Sequence, residues 1–445
     1  MEPEFTSDEE ETGDVERPED DVDDEGFSRL DRIKICISFG GIAVLLHSFT
    51  TVAISASQDI LAGTYIPTTT ILSSHVATMV VVTACLPWFM QKIPYFWRTL
   101  IVIFAMAGGT LVLITVNNVY VKILGVSLNA LAHGLGEISF LALCSFYGKI
   151  SVTSFAAGSG AGILLGPIYF TAMTSWVCIS PQITLAIISP APLLVLLFYY
   201  ILDKDRLKPY ALLHYKKLKS DDDSQVSEEQ STNPLLLSWR EKLSAAWQIL
   251  PQILTLCSAY VAQYVTVQAV FTTIAFGNAP FAPRDHYVYY ILLNSAGECL
   301  FRSYLSIVAW SKPQLISRLI IKRTWIFSLV SLGVMIFSIC ASYYRLFNSV
   351  WWVLFLCFFI GSMTGLVFAN TVCAVPLIVD PNYREFCMGL VTFGESAGIL
   401  IASFCGIAVE PALRTHCSVI SKDSSLCFTR HKNYGWDSAV CSAKG

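Results

Sequence analysis

Five ionisable residues stand in otherwise apolar sequence: His133 and Glu137, Glu298 and Arg302, and Glu395. The first four form two i, i+4 pairs, a spacing that puts both members on one helical face. An ionisable group within an apolar helix is costly unless it meets a partner or a wet cavity, so each is a candidate for transport chemistry. Glu137, Glu395 and His133 are candidate proton carriers, because buried carboxyls and imidazoles exchange protons near physiological pH. Arg302 is a candidate anion ligand through its planar guanidinium, with Glu298 as ion-pair partner or second substrate contact. His47 and His75 read as packing or lining residues. No Walker loop, H-E-x-x-H, G-x-S-x-G or zinc-type cysteine pairing is present. The sequence therefore offers no catalytic set, and no enzyme, metal or cofactor is expected.

The elements that must position these residues are membrane helices. The 445 residues are 54% hydrophobic and only 14% charged, against roughly 25% charged in soluble domains. Repeated apolar runs of about 20 residues can each cross the hydrocarbon layer. Eleven are expected, with Glu137 in the fourth (119–147), Arg302 in the eighth (287–310) and Glu395 in the eleventh (386–409). The fold class is an all-α polytopic membrane protein. Residues 1–32 hold 15 of the 33 acids and read as a disordered tail. A six-helix bundle (33–202), a linker (203–244), a five-helix bundle (245–409) and a Cys-containing tail (410–445) follow. No cleavable signal pattern precedes the first span, which is expected to direct targeting.

Placing the N-terminus in the cytosol puts Arg29, Arg32, Lys34, Lys92, Lys149, Lys312, Arg318, Lys322, Arg323 and Arg384 on that side, as the positive-inside rule requires. Eleven spans then carry the C-terminus to the lumen. Cys178, Cys417, Cys427 and Cys441 share that oxidising side and are disulfide candidates, with at least one bridge expected in the tail. There is no N-x-Ser/Thr acceptor. In the linker, Glu228 and Glu229 ahead of Leu235 and Leu236 are similar to an acidic di-leucine sorting signal that an adaptor would read. The partners expected are a small-molecule substrate, the bilayer and that adaptor, with no nucleic acid.

Two phrases repeat across the halves: "GSGAGILLG" at 158–166 and "GESAGILIA" at 394–402. Gly158, Gly162 and Gly166 share one helical face, as do Gly394 and Gly398, and small faces let membrane helices approach closely. Their positions in spans five and eleven match a 6+5 pseudo-repeat of the major-facilitator type.

Several phrases resemble the battenin family, lysosomal or vacuolar membrane proteins tied in humans to juvenile neuronal ceroid lipofuscinosis. They are "SASQDIL" (55–61), "GLGEISFLALCSFY" (134–147), the fifth-span Gly phrase, "ISPQITL" (179–185), "NSAGECLFRS" (294–303), "FANTVCAVPL" (368–377) and "YREFCMGLVTFGESAGI" (383–399). They occur in the family's order over about residues 33–410. The resemblance implies a major-facilitator-like transporter without ATP drive, tied to clearing glycerophosphodiesters from lysosomes, or in fungi to vacuolar pH and basic amino acids. It adds Asn370 to the candidate substrate contacts. A third possibility is a transport-inactive scaffold that regulates trafficking or acidification. The chain also departs from the family: a seventh-span Glu-Tyr is here Gln263-Tyr264, and Glu298 stands where an apolar residue is usual.

Overall fold

The computed structural model describes residues 28–60, 69–204, 237–280, 286–421 and 424–427. The acidic tail through residue 27, the sorting-signal residues Glu228, Glu229, Leu235 and Leu236, and Cys441 lie outside them. All regular elements among the described residues are helical. The first half comprises α1 (Arg29–Ser55), α2 (Thr69–Met90), α3 (Tyr95–Thr115), α4 (Val119–Cys144), α5 (Gly148–Thr171) and α6 (Pro181–Ile201). The second comprises α7 (Trp239–Gln248), α8 (Leu250–Tyr264), α9 (His286–Ser311), α10 (Trp325–Tyr343), α11 (Val350–Ile378), α12 (Arg384–Leu390) and α13 (Phe393–Ile420).

Helix is the form such apolar runs must take in lipid, since it satisfies every backbone group within the segment. Side chains that cap free amides mark the starts. Ser28 accepts from Asp31 N, Asn118 from Tyr120 N and Ser180 from Ile183 N. Gly148 turns α4 into α5 at φ 72°, a left-handed conformation that disfavours a side chain. Among the described residues, ten segments are long and apolar enough to span a membrane. The eighth expected span, α9, has 26 residues, and Asn294, Glu298 and Arg302 lower its hydropathy below that of the others.

The structure moves several sequence boundaries. α1 starts at Arg29, four residues before the expected span, because Ser28 caps it. The linker ends in a helix rather than coil: Ser238 and Glu241 form a reciprocal capping box that starts α7. α6 breaks between Ile188 and Leu193, where Pro190 and Pro192 interrupt it. The eleventh span is two helices, α12 and α13, parted at Val391–Thr392, and α13 runs on to Ile420.

Packing repeats across the halves. α1 lies along α5 and α2 along α4; six spans later, α8 lies along α13 and α9 along α11. The halves meet through α5 against α9 and α2 against α13, two contacts that the same exchange of halves interconverts. The glycine phrases occupy equivalent places. A Cβ on Gly158 would strike the Gly40 backbone of α1, and one on Gly162 would lie 2.6 Å from Val44 O. A Cβ on Gly394 would lie 2.5 Å from Ile253 O of α8, and one on Gly398 equally close to Cys257 O. Gly166 also faces α1, at Thr51 and Ser48.

Candidate functional site

On α9, Asn294, Glu298 and Arg302 recur every fourth residue and make one polar stripe. Gly160 of α5 lets that stripe reach the interface between the halves, for a Cβ there would lie 2.9 Å from Cys299 Cα and 3.1 Å from Arg302 Cβ. Arg302 is completely buried and is the hub. Its Nη2 donates to Glu298 Oε1 at 2.7 Å and to the Tyr260 hydroxyl, and lies 3.5 Å from Glu395 Oε1. Its Nη1 donates to Ser159 Oγ at 2.7 Å, and its guanidinium stacks over the Phe368 ring at 3.7 Å. One cation thus holds groups from α5, α8, α9, α11 and α13.

Glu298 is held from a second side. Gln263 Nε2 donates to Glu298 Oε2 at 2.8 Å and to Asn294 Oδ1 at 3.2 Å. The carboxylate that the family resemblance places on the seventh span is absent there, and Glu298 supplies one beside the same position from α9.

Glu395 sits in the first turn of α13, immediately after the break from α12. A helix N-terminus favours negative charge, and a discontinuous span is where transporter folds place binding groups. The Glu137 side chain meets Glu395 from α4 across the interface. Neither Glu137 oxygen has a hydrogen-bond donor, nor does Glu395 Oε2. Two facing carboxylates offer no donor to each other, so a bond between them requires a proton. In this cluster three carboxyl groups surround one guanidinium.

His133 and Glu137 share a face of α4 as their spacing implies, but no hydrogen bond joins them, and both nitrogens of His133 are unpartnered. Asn370, expected among the substrate contacts, is occupied elsewhere. It donates to Leu366 O at 2.8 Å and accepts from Tyr304 Oη at 2.8 Å and Ile321 N at 2.7 Å, which pins the chain after α9 to α11. Three of its four hydrogen-bonding positions serve structure in this arrangement, and one Nδ2–H remains. Cys417 and Cys427 form a disulfide, and Cys178 is disulfide-bonded too.

Sequence reasoning did not single out Tyr260, Ser159 or Phe368, and marked Gln263 only as a departure from the family. The signal available was weak: Tyr260 and Gln263 lie three apart in an apolar span, which matches one face of α8. Among the described residues no three His, Cys, Asp or Glu side chains are arranged to hold a metal ion. A cavity of about 270 Å³ lined by Ala275, Asn278, Ser342, Arg345 and Leu426 shares no residue with the Arg302 cluster, and the charged cluster is the better candidate on chemical grounds.

Comparison with known proteins gives three consistent results. The family model described as CLN3 protein matches residues 44–417. Protein BTN1 of Kluyveromyces lactis is 28% identical over 393 residues, covering 87% of this chain and 96% of that protein. Protein BTN1 of Debaryomyces hansenii is 29% identical over 396 residues, covering 84% and 92%. Among solved structures, the human organic anion transporter MFSD10 (TETRAN) superposes with a TM-score of 0.52 at 13% identity, covering 91% of this chain and 97% of that one. At that identity the likeness is one of fold, and the fold is that of a major-facilitator transporter.

Proposed function

The chain belongs to the CLN3 protein family, and from that premise we propose that it is a proton-coupled transporter of the lysosomal or vacuolar membrane, with glycerophosphodiesters as its substrate class. One observation carries the reading: the buried cluster at the interface of the halves, where Arg302 is engaged by Glu298 and Glu395 and faces Glu137 beyond them. A phosphodiester needs a cationic partner, and the guanidinium fork matches its oxygens. In the geometry described, the Nη2 arm of that fork is taken by carboxylates and the Nη1 arm by Ser159. Protons on those carboxyls would weaken their hold and free the fork for the anion. Proton binding and anion binding then assist each other, as export from an acidic lumen requires. Glu137 and Glu395 serve as proton carriers, and either offers a contact for a cationic head group.

A second reading has its own support. Three carboxyls against one guanidinium leave net negative charge, which suits basic amino acids, with Arg302 then acting as a fixed counter-ion. Metabolite profiles separate the two. In lysosomes or vacuoles from cells lacking the protein, phosphodiesters are expected to accumulate, and wild type alone to clear them. Arg302→Gln and Glu395→Gln are each expected to cut clearance at least about tenfold, the effect of losing roughly 1.4 kcal/mol of selective interaction. Accumulation of lysine and arginine instead favours the second reading. Full clearance by Arg302→Gln sinks the first.

A further inference from the structure

Beside the carboxylate cluster, three buried histidines converge from three helices of the first half. His47 of α1, His75 of α2 and His133 of α4 are each at most 5% exposed. The His47 and His133 rings meet edge to face at 4.7 Å between centroids, and those of His75 and His133 are stacked at 6.1 Å. The outer two rings are fixed by the backbone. His47 Nδ1 faces Ala43 O at 3.0 Å, and the His75 ring bonds the Val126 backbone. A ring nitrogen facing a carbonyl must carry the hydrogen, so the other nitrogen of a neutral ring is a bare acceptor. Those other nitrogens, His47 Nε2 and His75 Nδ1, are unpartnered, as are both nitrogens of His133 between them. Neutral His133 has one N–H and can serve one of its two neighbours. The imidazolium has two, one for each.

We infer that the His47–His133–His75 cluster is a one-proton binding site, with His133 as the proton acceptor and the outer histidines as its hydrogen-bond acceptors. The inference rests on the proton-coupled reading above and locates where a proton waits before it reaches the carboxyls. Glu137 lies one turn along α4 on the same face, and Glu395 and Arg302 follow across the interface. The groups whose charges act on His133 are His47, His75 and Arg302. Arg302 bears the same sign as an imidazolium, and the Glu137 and Glu395 carboxylates bear the opposite one. Arg302 and the two neighbouring rings therefore press the proton toward an ionised Glu137. Transfer moves one proton from the His133 ring to a Glu137 oxygen, leaving a neutral imidazole and a neutral carboxyl, so charge is conserved.

Two measurements on the full chain test this. The first is uptake of glycerophosphocholine into proteoliposomes from about pH 4.5 to about pH 8. Wild type is expected to change rate about tenfold across that range, and His133→Gln to flatten the profile to within about twofold. His47→Phe and His75→Phe each remove one acceptor from the imidazolium and are expected to move the midpoint down by about one pH unit. His416→Gln, whose ring stacks on Tyr343 at 3.7 Å far along the chain, is expected to keep the wild-type profile. A wild-type midpoint in His133→Gln overturns the inference. The second measurement does not need transport. In isotope-labelled protein in lipid nanodiscs, the nitrogen spectrum lost in His133→Gln identifies the His133 ring. Protonation of both its nitrogens at acidic pH supports the site, and a ring that stays neutral throughout overturns it. Should wild type carry no glycerophosphocholine at any pH, the substrate reading fails, and the ring spectrum still decides the cluster.

Discussion

Arg302 and Glu298 illustrate how a membrane core makes a pair of charges interdependent. Breaking a buried ion pair by removing one partner costs about 3–5 kcal/mol, because the other charge is left uncompensated. Here Glu298 also accepts from Gln263 across to α8. The amide and the carboxylate stand side by side, with the carboxylate on α9 where the family resemblance places one on α8. If the site needs a carboxylate near this spot rather than on one particular helix, exchange of the two should be tolerated better than either single change. Gln263→Glu would put two carboxylates in contact, and Glu298→Gln would leave Arg302 with fewer acceptors. The double variant Gln263→Glu/Glu298→Gln restores one of each. Folded yield in detergent is expected to fall for both singles and to recover in the double, with a coupling of about 1–3 kcal/mol. Strict additivity of the two losses would mean that Glu298 is tied to its own helix.

At the scale of elements, close helix approach is set by glycine, and the contacts say which substitutions should matter. A side chain on Gly158 would strike the backbone of Gly40, and one on Gly398 would lie 2.5 Å from Cys257 O and 2.9 Å from Tyr260 Cβ. Gly108 and Gly333 have nothing within 4 Å of the same position. Gly158→Ala and Gly398→Ala should each lower thermal stability, by about 1–3 kcal/mol, as overpacking does. Gly108→Ala and Gly333→Ala should be neutral or slightly stabilising, since alanine is the better helix former. Equal effects at all four positions would remove the packing argument.

The same elements show how far the sequence could be read. The spans, the pairing of the Gly phrases and the i, i+4 faces follow from periodicity, because lipid leaves helix as the form available and fixes its length. What periodicity leaves open is which faces meet. The stripe on α9 lies against Gly160, a glycine that shares no face with the repeated Gly158–Gly162–Gly166 set. The two-helix form of the last span was equally hidden, since no proline stands between Arg384 and Phe393 to announce it. Asn370 is a different case: a buried polar residue in a motif of the resemblance whose bonds tie α9 and the chain after it to α11. His47 and His75 read singly as packing residues, and only their meeting at His133 gives them a shared chemistry.

For the whole molecule, two halves related by the repeat must rock about their common interface if the site is to open to each side in turn. In this structure one end of that interface is fastened. Glu385 of α12 accepts from the Tyr95 hydroxyl at 2.6 Å and lies 3.6 Å from Arg98 Nη2, both on α3. Lys242 of α7 donates to Trp88 O at 2.6 Å, and Trp88 packs on Phe386 and Trp239 at 5.2 and 5.4 Å. All these bonds run from the first half to the second, and the side they close is the one the basic residues assign to the cytosol. Such bonds exist only while that end is shut, so removing one destabilises the shut state and leaves the open one unchanged. Arg98 keeps its backbone partners Met90 O and Ile93 O, which limits damage to α3 itself. Cys387, buried beside Glu385 on α12, is a built-in reporter. Glu385→Ala should raise the rate at which a membrane-impermeant maleimide modifies Cys387 from the cytosolic side by about tenfold or more, since roughly 1.4 kcal/mol is a factor of ten in a population. Cys357, buried among Tyr290, Val353 and Leu354 in the second half, should keep its slow rate. Faster modification of both thiols would indicate general loosening, and no change at Cys387 would mean that the fastening does not hold the end shut. Acceleration confined to Cys387 is the result that ties this contact to alternating access.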